Sequence, residues 1–281
     1  VSRVDLHIHS TASDGRLTPA EIIQKAAGRG LTFIALADHD SVDGIAPAKV
    51  ASQAFPELKV IPAVEISTDI PQGEVHVLGY FIDYTDPELR TTLDRFRNSR
   101  LRRAQGMVAK LENLGIHIDW QRVQEIAGGS SMGRPHIAQA MLEKGYIVSI
   151  KEAFDKYLGR NRPAYVEREK MTPTEAVALI VKAQGLPVLA HPLTSNDPEA
   201  MTIELKAAGL VGIEAYYDGY TVEEINQLLG LAQRHNLIAT GGSDYHGLEL
   251  NETAIGGADV PIEAVERLIG LAKQRNLNLR L

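Results

Sequence analysis

Residues 4–10 read Val4-Asp5-Leu6-His7-Ile8-His9-Ser10. Apolar residues at alternate positions mark a β-strand. Residues two apart on a strand share a face, so His7 and His9 stand side by side where the strand ends. The same design recurs along the chain. Residues 32–37, apolar after Thr32, run into Asp38-His39-Asp40. Residues 59–66 carry Pro62-Ala63-Val64-Glu65, and residues 75–81 carry His76. Residues 186–190 lead into His191, residues 211–215 hold Glu214, and residues 237–240 precede Ser243-Asp244-Tyr245-His246.

These runs make seven strand candidates. Most are continuously apolar, as strands of a sheet covered on both faces must be. The helices between them open on strong signals. Thr18-Pro19-Ala20-Glu21 and Thr172-Pro173-Thr174-Glu175 are capping boxes with proline in the first turn, and Thr221-Val222-Glu223-Glu224 is a third box. Alternating strands and helices imply an α/β fold, and seven strands imply a distorted (β/α)7 barrel. Residues 87–162 interrupt the alternation with helical patterns at 87–114, 120–127, 134–144 and 149–158, and a Gly128-Gly129-Ser130-Ser131 loop. The expected organisation is a barrel from residues 1–86 and 163–281, with a helical insertion at 87–162 between strands 4 and 5 that caps the substrate.

Composition narrows the chemistry. The 281 residues include no cysteine, so any metal must be held by nitrogen and oxygen. No apolar run approaches the ~18 residues of a membrane span. The chain opens on its first strand without a signal-peptide pattern, which predicts a cytoplasmic protein with no membrane association. The net charge of −7 is uneven. Residues 90–170 hold 16 Lys/Arg against 9 Asp/Glu, a net +7, which leaves −14 for the rest. An acidic body with a basic middle suits bound cations and an anionic substrate.

Of the nine histidines, only His117 and His235 match no motif. His136 falls in the helical stretch, and the other six lie with Asp and Glu in or at the ends of predicted strands, where barrels of parallel strands place their active sites. A tetrahedral site needs four ligands. About ten candidates therefore imply two or three ions sharing a carboxylate. Imidazole and carboxylate suit zinc, manganese or iron alike. Paired ions favour in-line displacement at phosphorus.

The ordered motifs Asp5-Leu6-His7-Ile8-His9-Ser10, Ala37-Asp38-His39-Asp40, Glu65, His76, Ala190-His191-Pro192 and Ser243-Asp244-Tyr245-His246 resemble the PHP (polymerase and histidinol phosphatase) superfamily of phosphoesterases. Gly133-Arg134-Pro135-His136 within the helical stretch resembles its TrpH/YciV-like branch. That branch includes 3′,5′-nucleoside bisphosphate phosphatases and 5′-to-3′ exoribonucleases. The resemblance implies two or three divalent ions, manganese first, with zinc or iron as alternatives. His7, His9, Glu65 and Asp244 would hold the first, and Glu65, His76 and His191 the second. Asp14, His39 and His246 would hold the third, with Asp40 nearby.

A hydroxide bridging metals at Glu65 and His191 is the implied attacking group. Arg134 and His136 are the implied phosphate ligands, since guanidinium binds phosphate through two parallel bonds. Ser10 and Tyr245 are further substrate-binding candidates, and Tyr216 and Tyr217 stand near the predicted rim. The expected reaction removes the 3′-phosphate of a nucleoside 3′,5′-bisphosphate. The alternatives are 5′-to-3′ hydrolysis of short RNA, a histidinol-phosphatase-like reaction and a non-catalytic PHP module. An amidohydrolase is disfavoured because Glu65 stands where those enzymes carry a bridging lysine. The partner implied is a small phosphorylated molecule, with no obligate protein partner.

Overall fold

The computed structural model describes residues 3–70, 73–127, 132–167, 169, 171–247, 253–279 and 281. The Gly128–Ser131 loop of the sequence reading lies outside the described residues. The chain forms two compact units, Val1–Thr92 with Met171–Leu281, and Leu93–Lys170.

The first unit is built on seven strands: β1 Val4–Ile8, β2 Phe33–Leu36, β3 Lys59–Ile70, β4 Gly73–Tyr80, β5 Leu186–Leu189, β6 Gly212–Tyr217 and β7 Ile238–Gly242. They pair in sequence order from β1 to β7. β7 returns to β1 through a parallel bridge between Ile8 and Tyr245, and His9 N–H donates to Tyr245 O at 2.9 Å. The result is a nearly closed, distorted (β/α)7 barrel. Pairings are parallel except those of β4, which runs against both neighbours. Chain length explains the reversal. Only Pro71 and Gln72 separate β3 from β4, whereas a parallel crossover needs a dozen or more residues. Both strands extend further towards each other than the apolar runs suggested.

The helices of this unit are α1 Pro19–Gly28, α2 Ile45–Ser52, α7 Pro173–Lys182, α8 Pro198–Ala208, α9 Val222–Arg234 and α10 Ile262–Gln274. All three expected capping boxes form, at Thr18, Thr172 and Thr221. Alternate residues of the strands serve two layers. Ile34, Leu36 and Val60 pack with Ile22, Ile23 and Ala26 of α1 and Ala48 of α2. Ala35, Ala37, Ile61 and Ala63 join a separate cluster with Leu78, Val188 and Leu268. Glu65 continues the row of Ile61 and Ala63, so strand alternation puts its carboxylate on that face.

The second unit is helical among its described residues. α3 Pro87–Asn113 enters it, followed by α4 Trp120–Ala127, α5 Arg134–Glu143 and α6 Ile150–Ala153, which runs on into a π-helical turn at Phe154–Leu158. Met107, Leu111, Val123, Ile137, Met141 and Leu158 form its own apolar core.

Barrel closure depends on Asp5, which is fully buried. Its Oδ1 accepts from Ser243 N at 2.9 Å and His7 N at 3.3 Å, and its Oδ2 from Ser243 Oγ and Gly256 N, both at 2.7 Å. One carboxylate thus clasps β1 to the segment that follows β7. Asparagine would keep the shape and replace one acceptor with a donor facing donors. Asp5→Asn is expected to lower unfolding free energy by roughly 2–4 kcal/mol, measured by urea denaturation. A loss below about 1 kcal/mol would show that closure does not depend on this clasp.

Candidate active site

The strand ends bring their polar side chains to one place. At its centre is Glu65, fully buried and surrounded by five imidazoles. Oε2 lies 3.2 Å from His7 Nε2, 3.3 Å from His9 Nε2 and 3.0 Å from His39 Nδ1. Oε1 lies 2.9 Å from both His76 Nδ1 and His191 Nε2. The two oxygens therefore face two different sets of nitrogens.

Asp244 completes the first set, its Oδ1 3.3 Å from His7 Nε2 and 3.0 Å from His9 Nε2. Asp14 forms the centre of another group, with oxygens 3.6 Å from His9 Nδ1, 3.7 Å from His39 Nε2 and 3.5 Å from His246 Nε2. Among the described residues, three groups are close enough to share an ion: His7, His9, Glu65 and Asp244; His39, Glu65 and His76; and His9, Asp14, His39 and His246. His191 reaches the same Glu65 oxygen as His76.

The donor set fits a metal. His7 Nε2, His9 Nε2, Glu65 Oε2 and Asp244 Oδ1 are buried atoms without a hydrogen-bond partner among the described residues. Buried polar atoms are normally satisfied, so four orphans in one cluster call for a common partner. Ligands at about 2.0–2.1 Å from a tetrahedral ion stand roughly 3.3 Å apart, and the four nitrogen–oxygen separations here are 3.0–3.3 Å.

The electrostatics agree. Burial pushes the Glu65 and Asp244 carboxyls up, but the histidines beside them outweigh it and hold both well below the usual range. For Asp14 burial is likewise overcome by His39, His9 and His246, which bring it to about 2. Burial opposes a charge on His7, yet Asp244, Glu214 and Glu65 hold it well above its ordinary value. His9 is raised to about 10 by Asp244 and Glu65 against the same penalty. At His76 and His246 burial prevails and the values fall. The surroundings thus favour the ionised form of the carboxyls and the protonated form of His7, His9, His39 and His191, so the cluster favours positive charge.

Other candidates have different surroundings. Asp40 is buried and its Oδ1 accepts from Ser67 N at 2.9 Å, and it belongs to none of the three groups. Asp38 ties down the loop after β1 by accepting from Ser10 N at 2.7 Å, Ser10 Oγ at 2.8 Å and Ser13 Oγ at 2.6 Å. Ser10, a substrate-binding candidate on its sequence, is fully buried with its hydroxyl turned to Asp38. Its short side chain is held by a carboxylate one bond away, which gives it a loop-organising task. Tyr245 is also turned inward. It packs with the core beneath α1, its ring 5.3 Å from Lys25 Nζ.

Tyr217 donates to Asp244 Oδ2 at 2.8 Å, which aims Oδ1 at the histidines. His191 and Asp244 have φ of 25° and 50°, a region that side chains rarely adopt and that clusters at functional sites. In the second unit, His136 Nδ1 accepts from Gly133 N at 3.1 Å, and the Arg134 guanidinium lies over the Phe154 ring at 5.3 Å.

A barrel of mostly parallel strands whose strand ends converge on buried histidines and carboxylates defines a metal-dependent hydrolase. The PHP domain family matches residues 5–158. A 3′,5′-nucleoside bisphosphate phosphatase from Chromobacterium violaceum is 34% identical over 251 residues, covering 88% of this chain and 88% of the relative. A 5′-3′ exoribonuclease from Escherichia coli is 35% identical over 247 residues, covering 86% and 84%. A structure from Bifidobacterium adolescentis, proposed to be a metal-dependent phosphoesterase, superposes with a TM-score of 0.81 at 28% identity, covering 95% of both chains. The chain belongs to the PHP family and is a metal-dependent phosphoester hydrolase. No helix among the described residues is long and apolar enough to cross a membrane.

The proton on His9 yields a measurable consequence. Its value of about 10 in the metal-free fold exceeds the ordinary 6.5. The protonated ring therefore stabilises that fold fully below pH 6.5, and the contribution is lost as pH rises through about 10. A metal held by His9 must displace the proton, so metal uptake at pH 8 should release protons and tighten as pH rises. Calorimetric titration in two buffers of different ionisation heat reads this release. Heats that do not depend on the buffer would contradict it.

Proposed function

We propose that this enzyme removes the 3′-phosphate from nucleoside 3′,5′-bisphosphates to give the 5′-monophosphate, with manganese as its metal, in the cytoplasm. The observation that carries this reading is Glu65, a buried carboxylate whose two oxygens face separate nitrogen sets. Such sharing suits two adjacent ions and chemistry at phosphorus. The substrate class is supported by the Chromobacterium violaceum relative, which is named for it.

We assign His7, His9, Glu65 and Asp244 to one ion, Glu65, His76 and His191 to a second, and Asp14, His39 and His246 to a third. An all-nitrogen-and-oxygen set of imidazoles and carboxylates is compatible with manganese, zinc and iron. Bound divalent ions supply a water of lowered pKa and neutralise charge on the phosphoryl oxygens. The protein contributes preorganisation. Tyr217 fixes the Asp244 carboxylate, burial keeps solvent from Glu65, and Asp38 holds the loop that carries His9. Arg134 and His136 are proposed phosphate ligands on chemical grounds, because a guanidinium fork matches phosphate oxygens.

A second reading is 5′-to-3′ hydrolysis of short RNA, favoured by the Escherichia coli relative named as an exoribonuclease. The two share their chemistry and differ in substrate length. The discriminating assay measures phosphate and mononucleotide release by manganese-loaded protein from adenosine 3′,5′-bisphosphate, a 5′-phosphorylated RNA trimer and histidinol phosphate. The bisphosphate should give the highest kcat/KM. Preference for the trimer would transfer the assignment to the second reading, and inactivity on all three with metal bound would sink both. In the same assay Arg134→Ala should raise KM about 10- to 100-fold, the worth of a lost charged hydrogen bond, without changing metal content.

A further inference from the structure

Glu214 has no place in the three metal-binding groups, yet it is fully buried against His7, a member of one of them, and His191, whose ring reaches the same Glu65 oxygen as His76. It lies in β6, beside a register shift between Glu214 and Tyr216 in the pairing with β7. Its Oε1 accepts from His7 Nδ1 at 2.9 Å. Its Oε2 accepts from the backbone N–H of His191 at 2.8 Å. Each oxygen thus accepts from an N–H donor, and Glu214 stands outside the groups that could share an ion.

The geometry beyond those bonds gives them a purpose. An imidazole whose Nδ1 is held as a donor presents the lone pair of Nε2. His7 Nε2 is the atom that faces Glu65 Oε2 and Asp244 Oδ1. His191 has φ of 25° and ψ of 62°, a strained conformation that persists only where its surroundings enforce it. A charge-assisted bond from its amide to a buried carboxylate is such an enforcement. From that backbone its Nε2 reaches Glu65 Oε1 at 2.9 Å. Glu65 therefore receives His7 on one oxygen and His191 on the other, and Glu214 lies behind both.

We infer that Glu214 is a positioning residue, one buried carboxylate that fixes the His7 ring through Nδ1 and the His191 backbone through its amide, so that both Nε2 atoms aim at opposite sides of Glu65. It couples the two ligand sets from outside the metal positions. The inference rests on the proposed metal binding at Glu65.

Glutamine tests it sharply, because its amide has the same shape but a single acceptor oxygen. Facing two N–H donors, it satisfies one and opposes the other, so either the His7 or the His191 bond is lost. Outer-sphere partners of metal-bound histidine are worth about 10- to 100-fold in metal affinity. Glu214→Gln should therefore bind zinc about 10- to 100-fold more weakly than the wild type while keeping its sheet signature in circular dichroism. In metal-free protein, amide hydrogen exchange at His191 or the imidazole 15N signals of His7 should change, with neighbouring core amides unaffected. Glu214→Asp, which keeps two acceptor oxygens on a shorter arm, should recover part of the zinc affinity.

Wild-type zinc affinity in Glu214→Gln, with His7 and His191 signals unchanged, would overturn the positioning role alone. Wild-type protein that takes up no zinc would overturn the metal reading and this inference with it. Weaker zinc binding accompanied by general loss of amide protection would also overturn it, because Glu214 would then be supporting the barrel rather than two ligands.

Discussion

One buried carboxylate governs the arrangement of the strand ends. Removing a carboxylate from water costs several kcal/mol unless opposite charge compensates it. Glu65 is met by five imidazoles, from His7 on β1 to His191 just past β5, of which His7, His9, His39 and His191 are held towards their charged form. No flat sheet could deliver them. The sheet curves until the His7 and His191 rings lie 6.0 Å apart, although 184 positions separate them in sequence. Closure of the barrel and assembly of the site are thus one event, and cation binding draws on the same free energy as folding.

Around that centre a second rank of carboxylates holds the chain rather than ions. Asp5 joins β1 to the segment after β7, and Asp38 holds the loop between His9 and Ser13. Each accepts backbone N–H groups that a loop would otherwise leave unsatisfied in the interior. Close backbone approach completes the design. A side chain at Gly242 would collide with the backbone and Cβ of His7, so β7 passes β1 only because that residue is glycine. Loops so tightly secured can sustain the left-handed backbone at Asp40, His191 and Asp244.

Much of this was legible in the sequence. Apolar runs ending in His, Asp or Glu located all seven strands and the residues that converge, because strand alternation and the strand-end rule act locally. The capping boxes at Thr18, Thr172 and Thr221 formed for the same reason. What stayed hidden was relational. The reversal of β4 follows from two linking residues, and the apolar runs stopped short of them. It also explains why His76 lies in the first half of its strand, whereas His7 lies at the end of β1 and His9, His39, His191, Asp244 and His246 follow their strands. In an antiparallel partner the rim of the barrel falls at the strand's beginning. Nothing local distinguishes Asp5, Asp38 or Ser10 from ligands, since Asp and Ser adjoin histidine in both roles. Only the fold shows which oxygens face backbone amides and which face imidazole nitrogens.

The central claim is that Glu65 is shared between ions on its two sides. Anomalous diffraction from manganese-soaked crystals tests it most directly. The account predicts one peak among Glu65 Oε2, His7, His9 and Asp244, and another beside Glu65 Oε1, His76 and His191, with Glu65 as the common ligand. A single peak that Glu65 does not touch, or manganese found only on the surface, would contradict it.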